Sequence, residues 1–532
     1  MKNKELKLMM NGAVLLSVAG LFSKILSAVY RVPFQNMVGN TGFYVYQQVY
    51  PIYGIGMTFA LAGFPVFFSK TIAEAKTPNE RKKLVWYSLL ILSLFSFVLF
   101  GLAYGFANQI AFYMGDLQLT PLIQSVSWMF LFMPILASFR GYFQGTYRMQ
   151  PTAHSQVAEQ LVRVLVILYA AWIYASTGTD IYVMGTQAMS GAIWGAAIAT
   201  GILLFAMRKE KFLFNKDSTT DGLTLLDLAK RYATEGLTIC LLTSILVLFQ
   251  LIDSFTLYKG LIENGIDPLK AKSLKGIYDR GQPLVQLGMV VGTGFSAGFI
   301  PVMSQAIAYE KMEEFHRAAR SLIRMTASFS FVAVAGLLAI LPEVNRMLFG
   351  DTSGNTVLSI YIVAIATTSI VLTFHSILQS FNRYLLTLIA LALGLSVKLL
   401  TNLLLVPLWN TVGASLATVV GLIAMGLFLF QYLPLELRAI WIKDHFLFKL
   451  MNGAAIVFTS AYATKLILAI FISNSRSGAS IIAILTMLVG VIVFISYILK
   501  VQLFTAREWL AIPFGKKLLK KFAINQKQKE KK

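Results

Sequence analysis

Fourteen apolar runs, each about as long as a bilayer is thick when helical, fill most of this chain. They occupy residues 11–33, 44–72, 84–106, 121–145, 154–176, 182–207, 233–257, 280–308, 321–341, 357–380, 385–407, 412–433, 449–472 and 479–499. A helix needs about 20 mainly apolar residues to cross the hydrocarbon. Only helices and closed barrels satisfy the backbone there, and a barrel strand is about half as long. The expected fold is therefore all-α, a polytopic membrane protein of about 14 transmembrane helices.

The 532 residues are 57% hydrophobic and only 13% charged, about half the charged share of a soluble chain. Cys240 is the single cysteine, and His154, His316, His375 and His445 are scattered. No disulfide, metal site, bound cofactor or His-based catalytic site is expected from such a set. The basic start MKNKELK precedes an apolar run that is too long for a signal peptide and contains Lys24, so a retained first helix is expected.

Net charge is +22, with the cations gathered between the apolar runs. This fits the positive-inside rule better than nucleic-acid binding. One side carries Lys2, Lys4 and Lys7, then Lys76, Arg81, Lys82 and Lys83, then the cations of 208–231, of 311–324 and of 438–449. The connections 34–43, 107–120, 177–181 and 408–411 are nearly free of Lys and Arg. Segment 258–278 is the exception, with Lys259, Lys270, Lys272 and Lys275. Both termini are expected in the cytoplasm, and eight lysines in 516–532 suit anionic headgroups.

The chain repeats itself. Pro51, Gly56-Met57 and Phe64-Pro65-Val66 of the second run are echoed by Pro283, Gly288-Met289 and Ile300-Pro301-Val302 of the eighth. Gly195-Ala-Ala-Ile-Ala-Thr200 is echoed by Gly413-Ala-Ser-Leu-Ala-Thr418. The expected organisation is two pseudo-symmetric six-helix lobes related by a parallel repeat. These are an N-lobe over 1–207, a cytoplasmic linker over 208–232 and a C-lobe over 233–433. Two further helices over 434–500 and a basic tail over 501–532 follow. Proline and glycine cluster in the paired second and eighth runs, as in the bent helices that line a transport path. Close packing through small residues explains the same pattern.

Charged side chains inside the runs carry the functional reading. Lys24 and Arg31 lie seven residues apart, two helical turns, which predicts a shared face. Asp279 and Arg280 open the eighth run, and Lys398 lies mid-run, four residues before Asn402. A cation at the bilayer centre costs about 3 kcal/mol, so four facing lipid would cost on the order of 10 kcal/mol. They are expected in a wet cavity with too few acids to pair them all, a cationic vestibule for an anionic substrate. Arg140, Glu159 and Arg163, with Gln144, Gln156 and Gln160, form a second cluster. Glu159 and Arg163 are spaced to pair on one helix, so this cluster reads as a structural lock. Asp253, Asn402 and Thr418 are candidates for an oxygen-lined Na+ or H+ site. Gly294-Phe-Ser-Ala-Gly298 matches a hydrolase pattern but lies in an apolar run with no strand before it. No phosphate-binding loop of the Gly-x4-Gly-Lys type is present.

Several segments together resemble the polysaccharide-transport branch of the multidrug/oligosaccharidyl-lipid/polysaccharide (MOP) exporter superfamily. They are Arg140-Gly-Tyr-Phe-Gln-Gly145, Met149-Gln-Pro151-Thr-Ala, Ser155-Gln-Val-Ala-Glu-Gln160 with Arg163, Ser23-Lys24-Ile-Leu, Gly63-Phe-Pro65, Asp279-Arg280 and Val397-Lys398 with Asn402. The likeness runs over about 10–500 and points to the stage V sporulation protein B-like group, related to MurJ-type lipid II flippases. It implies two lobes around a cavity that opens alternately to each side. It also implies movement of an undecaprenyl-pyrophosphate-linked sugar between leaflets by a monomer, without catalysis. Lys24 and Arg31 match paired first-helix arginines, Asp279-Arg280 an acidic–basic pair beside the cavity, and Asp253, Asn402 and Thr418 the region of a sodium site. A drug/cation antiporter of the same superfamily would need a carboxylate-lined cavity. A glycan polymerase or ligase would need larger outer loops, and a scaffold would need no cavity.

Overall fold

A computed structural model describes residues 2–210, 223–290, 299, 302–307, 309–505 and 508–509. Residues 291–298 and 301, which hold the hydrolase-like pattern and Pro301, lie outside the described residues, as do 211–222 of the linker and the tail 516–532. The described chain is helical throughout, without a strand. Eleven helices among these residues are long and apolar enough to cross a membrane. Two of them, Val14–Glu74 with 61 residues and Tyr384–Gln431 with 48, are long enough to cross twice at 1.5 Å per residue.

The elements used below are α1 (Lys2–Val29), α2 (Arg31–Thr58), α3 (Met133–Gly145), α4 (Gln150–Thr177), α5 (Ile181–Lys209), α6 (Ile245–Glu263) and α7 (Pro268–Asp279). They continue with α8 (Met312–Ala339), α9 (Tyr384–Gln431), α10 (Phe446–Phe471) and α11 (Arg476–Val501). The chain forms two compact units. One contains residues 1–283 with 395–417, the other 284–394 with 418–532.

Breaks fall where the sequence puts its helix breakers. Gly39 takes φ +69°, a left-handed conformation natural to glycine, and interrupts α2. After Pro51 the helix widens into a π turn over Phe59–Gly63 and restarts with Pro65 in its first turn, where proline's missing N–H costs nothing. α9 breaks at Trp409 and at Asn410, φ +51° and ψ −131°, two residues after Pro407. Inside the first unit, close packing uses the same glycines. A Cβ on Gly63 would lie 2.2 Å from the Cys240 sulfur, and one on Gly54 would lie 2.8 Å from Val247. Gly191 and Gly195, four apart on α5, press against the backbone oxygens of Arg163 and Glu159. This is a small-xxx-small contact.

The described end of the linker is ordered. Thr224 and Asp227 form a capping box that starts the helix Leu225–Arg231. Arg231 then pairs with Glu74 at 2.9 Å and Glu235 at 3.2 Å.

Candidate functional site

The first unit buries a cage of tyrosines around two guanidinium groups. Tyr46, Tyr50 and Tyr53 fall on one stripe of α2 because their spacing follows the helical repeat. Tyr30 joins them from the α1–α2 junction, its hydroxyl 3.0 Å from that of Tyr46. Arg31 is fully buried and lies 4.3 Å over the Tyr50 ring. Arg163 comes from α4, 1% exposed, 4.4 Å over Tyr53 and 5.3 Å over Tyr30. It donates one hydrogen bond, to the Ser27 hydroxyl at 3.3 Å. All three nitrogens of Arg31, and Nε and Nη1 of Arg163, have no hydrogen-bond partner. The buried Ser23 hydroxyl and the Gln160 amide nitrogen are also unpartnered. Stacking on a desolvated aromatic ring returns about 2 kcal/mol per cation. That is less than the several kcal/mol that burying an ion costs. The cage is therefore a concentrated, under-satisfied positive charge, suited chemically to a dianionic group such as pyrophosphate.

Lys24 and Arg31 do not share an environment: Lys24 is exposed on α1, whereas Arg31 is buried. The backbone stays helical through Tyr30, φ −59° and ψ −25°, with the Tyr30 N–H on the Leu26 carbonyl and the Phe34 N–H on the Tyr30 carbonyl, both at 3.1 Å, so the two-turn spacing carries across the junction and the two residues differ in what surrounds them.

The expected lock has a different membership. Glu159 pairs with Arg140 at 2.6 Å, not with Arg163. Arg140 also donates to the Ser155 hydroxyl at 3.1 Å and to the Ala60 carbonyl at 3.3 Å, which satisfies all three of its nitrogens. Positions four apart on a helix are neighbours, but α3 supplies Glu159 with the better partner, and Arg163 turns to the tyrosines.

Lys398 and Lys275 are paired with carboxylates, and Arg280 is held by amide oxygens. Lys398 is buried against Asp253 at 2.6 Å, and Asn402 donates to the same carboxylate at 2.9 Å. Lys275 donates to both oxygens of Asp279 at 2.7 Å, and Gln282 adds a third contact at 3.2 Å. Arg280 donates to Asn40 at 2.7 Å. With its oxygen toward the guanidinium, the Gln35 amide accepts from Arg280 at 3.0 Å. Thr418 is buried and belongs to the second unit. The expectation that acids are too few fails at Lys398, whose partner is Asp253, 145 residues away in the chain and one of the candidate cation-site residues. The lysine-rich exception over 258–278 is explained in the same way. Lys275 and Lys272 sit on α7 and are used inside the unit, Lys272 pairing with Asp116 at 3.1 Å. No sequence signal linked Asp116 to α7, although the aromatic stripe of α2 was there to be read.

The second unit holds an apolar groove of about 580 Å³ between α8, α10 and α11. Leu287, Phe329, Gly336, Val457 and Phe494 line it, with few polar groups.

A helical membrane protein with paired intramembrane charges and a buried cationic cage suits a transporter. Residues 9–307 match the polysaccharide biosynthesis protein family, and the chain belongs to that family. Among relatives from Bacillus subtilis (strain 168), it is 37% identical to the uncharacterized membrane protein YabM over 96% of both chains. It is 26% identical to the lipid II flippase MurJ over 79% of this chain and 81% of that one. It is 24% identical to stage V sporulation protein B over 79% and 82%. The solved inward closed conformation of lipid II flippase MurJ aligns with a TM-score of 0.67 at 14% identity, covering 91% of this chain and 98% of that one. An inward-facing multidrug resistance transporter of the MOP superfamily aligns at 0.61 and 13% identity, over 79% and 96%. The chain shares the fold of these MOP-superfamily transporter structures.

Proposed function

We propose that the chain moves a polyprenyl-pyrophosphate-linked sugar, of the undecaprenyl type, across the bacterial cytoplasmic membrane by alternating access. The balance of buried charge carries this reading. Asp116, Glu159, Asp253, Asp279 and Glu508, the buried acids among the described residues, are each in an ion pair. Arg31 and Arg163 are buried without one. An anionic headgroup supplies the missing partner, and its phosphate oxygens match guanidinium forks. Arg31 is the central contact, and Arg163 joins it. Lys24, exposed on α1, and Arg280, next in the chain to the Lys275-paired Asp279, guide the pyrophosphate. Lys398 is reassigned away from the substrate. Both termini face the cytoplasm, as the lysine distribution supports, the tail lies against anionic headgroups, and the protein works as a monomer.

The drug/cation antiporter reading would need a buried carboxylate free to take a cation, and the paired acids argue against it. The functional test is transfer of a fluorescent polyprenyl-pyrophosphate sugar between leaflets of proteoliposomes. Arg31→Ala and Arg163→Ala are each expected to slow transfer at least tenfold, about 1.4 kcal/mol or more of lost interaction with the charge. A double variant that transfers at the wild-type rate would remove the reading.

A further inference from the structure

The resemblance implies a sodium site built from the region of Asp253 and Asn402, and the residues present do not fit one. A bound cation needs oxygens turned toward it and no competing positive charge. Here the oxygens converge on a side chain of the protein. The Lys398 ammonium is 2.6 Å from Asp253 Oδ1, 3.3 Å from Asn402 Oδ1 and 3.1 Å from the Ala414 carbonyl. The rest of the cup points donors at Asp253. The Asn402 amide nitrogen is 2.9 Å from Oδ1, and the Tyr278 hydroxyl donates to Oδ2 at 2.7 Å. The amide nitrogen also holds the Thr256 hydroxyl at 2.7 Å. Lys398 and Asn402 are four apart on α9, so one helix face delivers both the ammonium and an oxygen that receives it.

We infer that the Lys398 ammonium is the built-in cation of the Asp253–Asn402 cup, and that this cup does not take sodium. A tethered ammonium saturates the carboxylate, so a sodium ion would have to displace a covalently attached competitor of the same charge. The pair also explains how a lysine persists in an apolar run: each charge offsets the burial of the other. The inference does not rest on the proposed substrate. It makes the conformational cycle independent of a sodium gradient at this position.

The test is thermal unfolding of the purified full chain in lipid nanodiscs, titrated with NaCl against KCl at constant ionic strength. Wild type is expected to show no sodium-specific shift. Lys398→Ala vacates the cup and is expected to gain a saturable, sodium-specific rise of about 3 °C or more in melting temperature. The rise is expected to vanish in Lys398→Ala/Asp253→Asn. Lys398→Gln, uncharged, one atom shorter and still able to hydrogen-bond, serves if the alanine variant does not fold. If neither variant folds, the wild-type titration decides. A sodium-specific shift in wild type that Asp253→Asn abolishes would overturn the inference. A folded Lys398 variant without sodium response would overturn it as well. No lipid-linked sugar enters the assay, so its outcome is separate from that of the flipping experiment.

Discussion

Arg140 and Arg163 are both buried arginines of the first unit, yet they sit in opposite situations, and the difference predicts opposite mutants. Arg140 is fully hydrogen-bonded and paired with Glu159. Arg140→Ala strands a buried carboxylate and is expected to destabilise the fold by about 3–5 kcal/mol, read as a large fall in melting temperature and yield. Arg163→Ala removes an under-satisfied cation and leaves behind only the Ser27 hydroxyl. Its melting temperature is expected to stay close to wild type while transfer falls, and a collapse of its fold would contradict a binding role. The sequence flags all these charges because charge inside an apolar run is expensive, so Arg31, Arg280 and Lys398 stand out by position alone. It cannot say which are satisfied. Satisfaction depends on partners such as Asp253 and Asp116, which the fold delivers from far along the chain. The misassigned pair, Glu159 with Arg163, shows that helical spacing is a local rule. It loses to a better partner on a neighbouring helix.

At the scale of elements, the breakers were legible and their geometry was not. Pro51, Gly63 and Pro65 announce a bent second span, but not the π turn at Phe59–Gly63, whose last residue packs against Cys240. Gly63→Leu is expected to be poorly tolerated, because its first side-chain carbon already meets the Cys240 sulfur at 2.2 Å. Overpacking of this kind costs about 1–3 kcal/mol or more, and thermal melting measures it. Gly195 reads in the sequence as one half of a repeat. In the structure it, with Gly191, lets α5 approach the backbone of α4 at the residues that hold the lock and the cage. Gly195→Leu is therefore expected to lower both melting temperature and transfer. A variant that melts normally would show that the close approach is dispensable. The exceptional lysines of 258–278 belong here too. Two of them, Lys272 and Lys275, depart from the topology rule because α7 turns them inward into ion pairs with Asp116 and Asp279.

For the whole molecule, hydropathy is sufficient to specify an all-helical membrane protein, because lipid leaves the backbone no alternative. Apolar runs alone do not say how helices group. The compact units follow contacts, so 233–283 and 395–417 go with the first unit and not with the rest of the second half. The buried acids among the described residues are matched by cations, and Arg31 and Arg163 are buried cations left with unpartnered nitrogens. The central claim is that these two cations bind the anionic headgroup of a lipid-linked substrate. Native mass spectrometry of the purified chain with polyprenyl pyrophosphate and with the uncharged polyprenol tests it most directly. Wild type is predicted to retain the pyrophosphate at least tenfold more strongly than the Arg31→Ala/Arg163→Ala variant does, with equal retention of the alcohol by both. Equal retention of the pyrophosphate by both proteins would contradict the account.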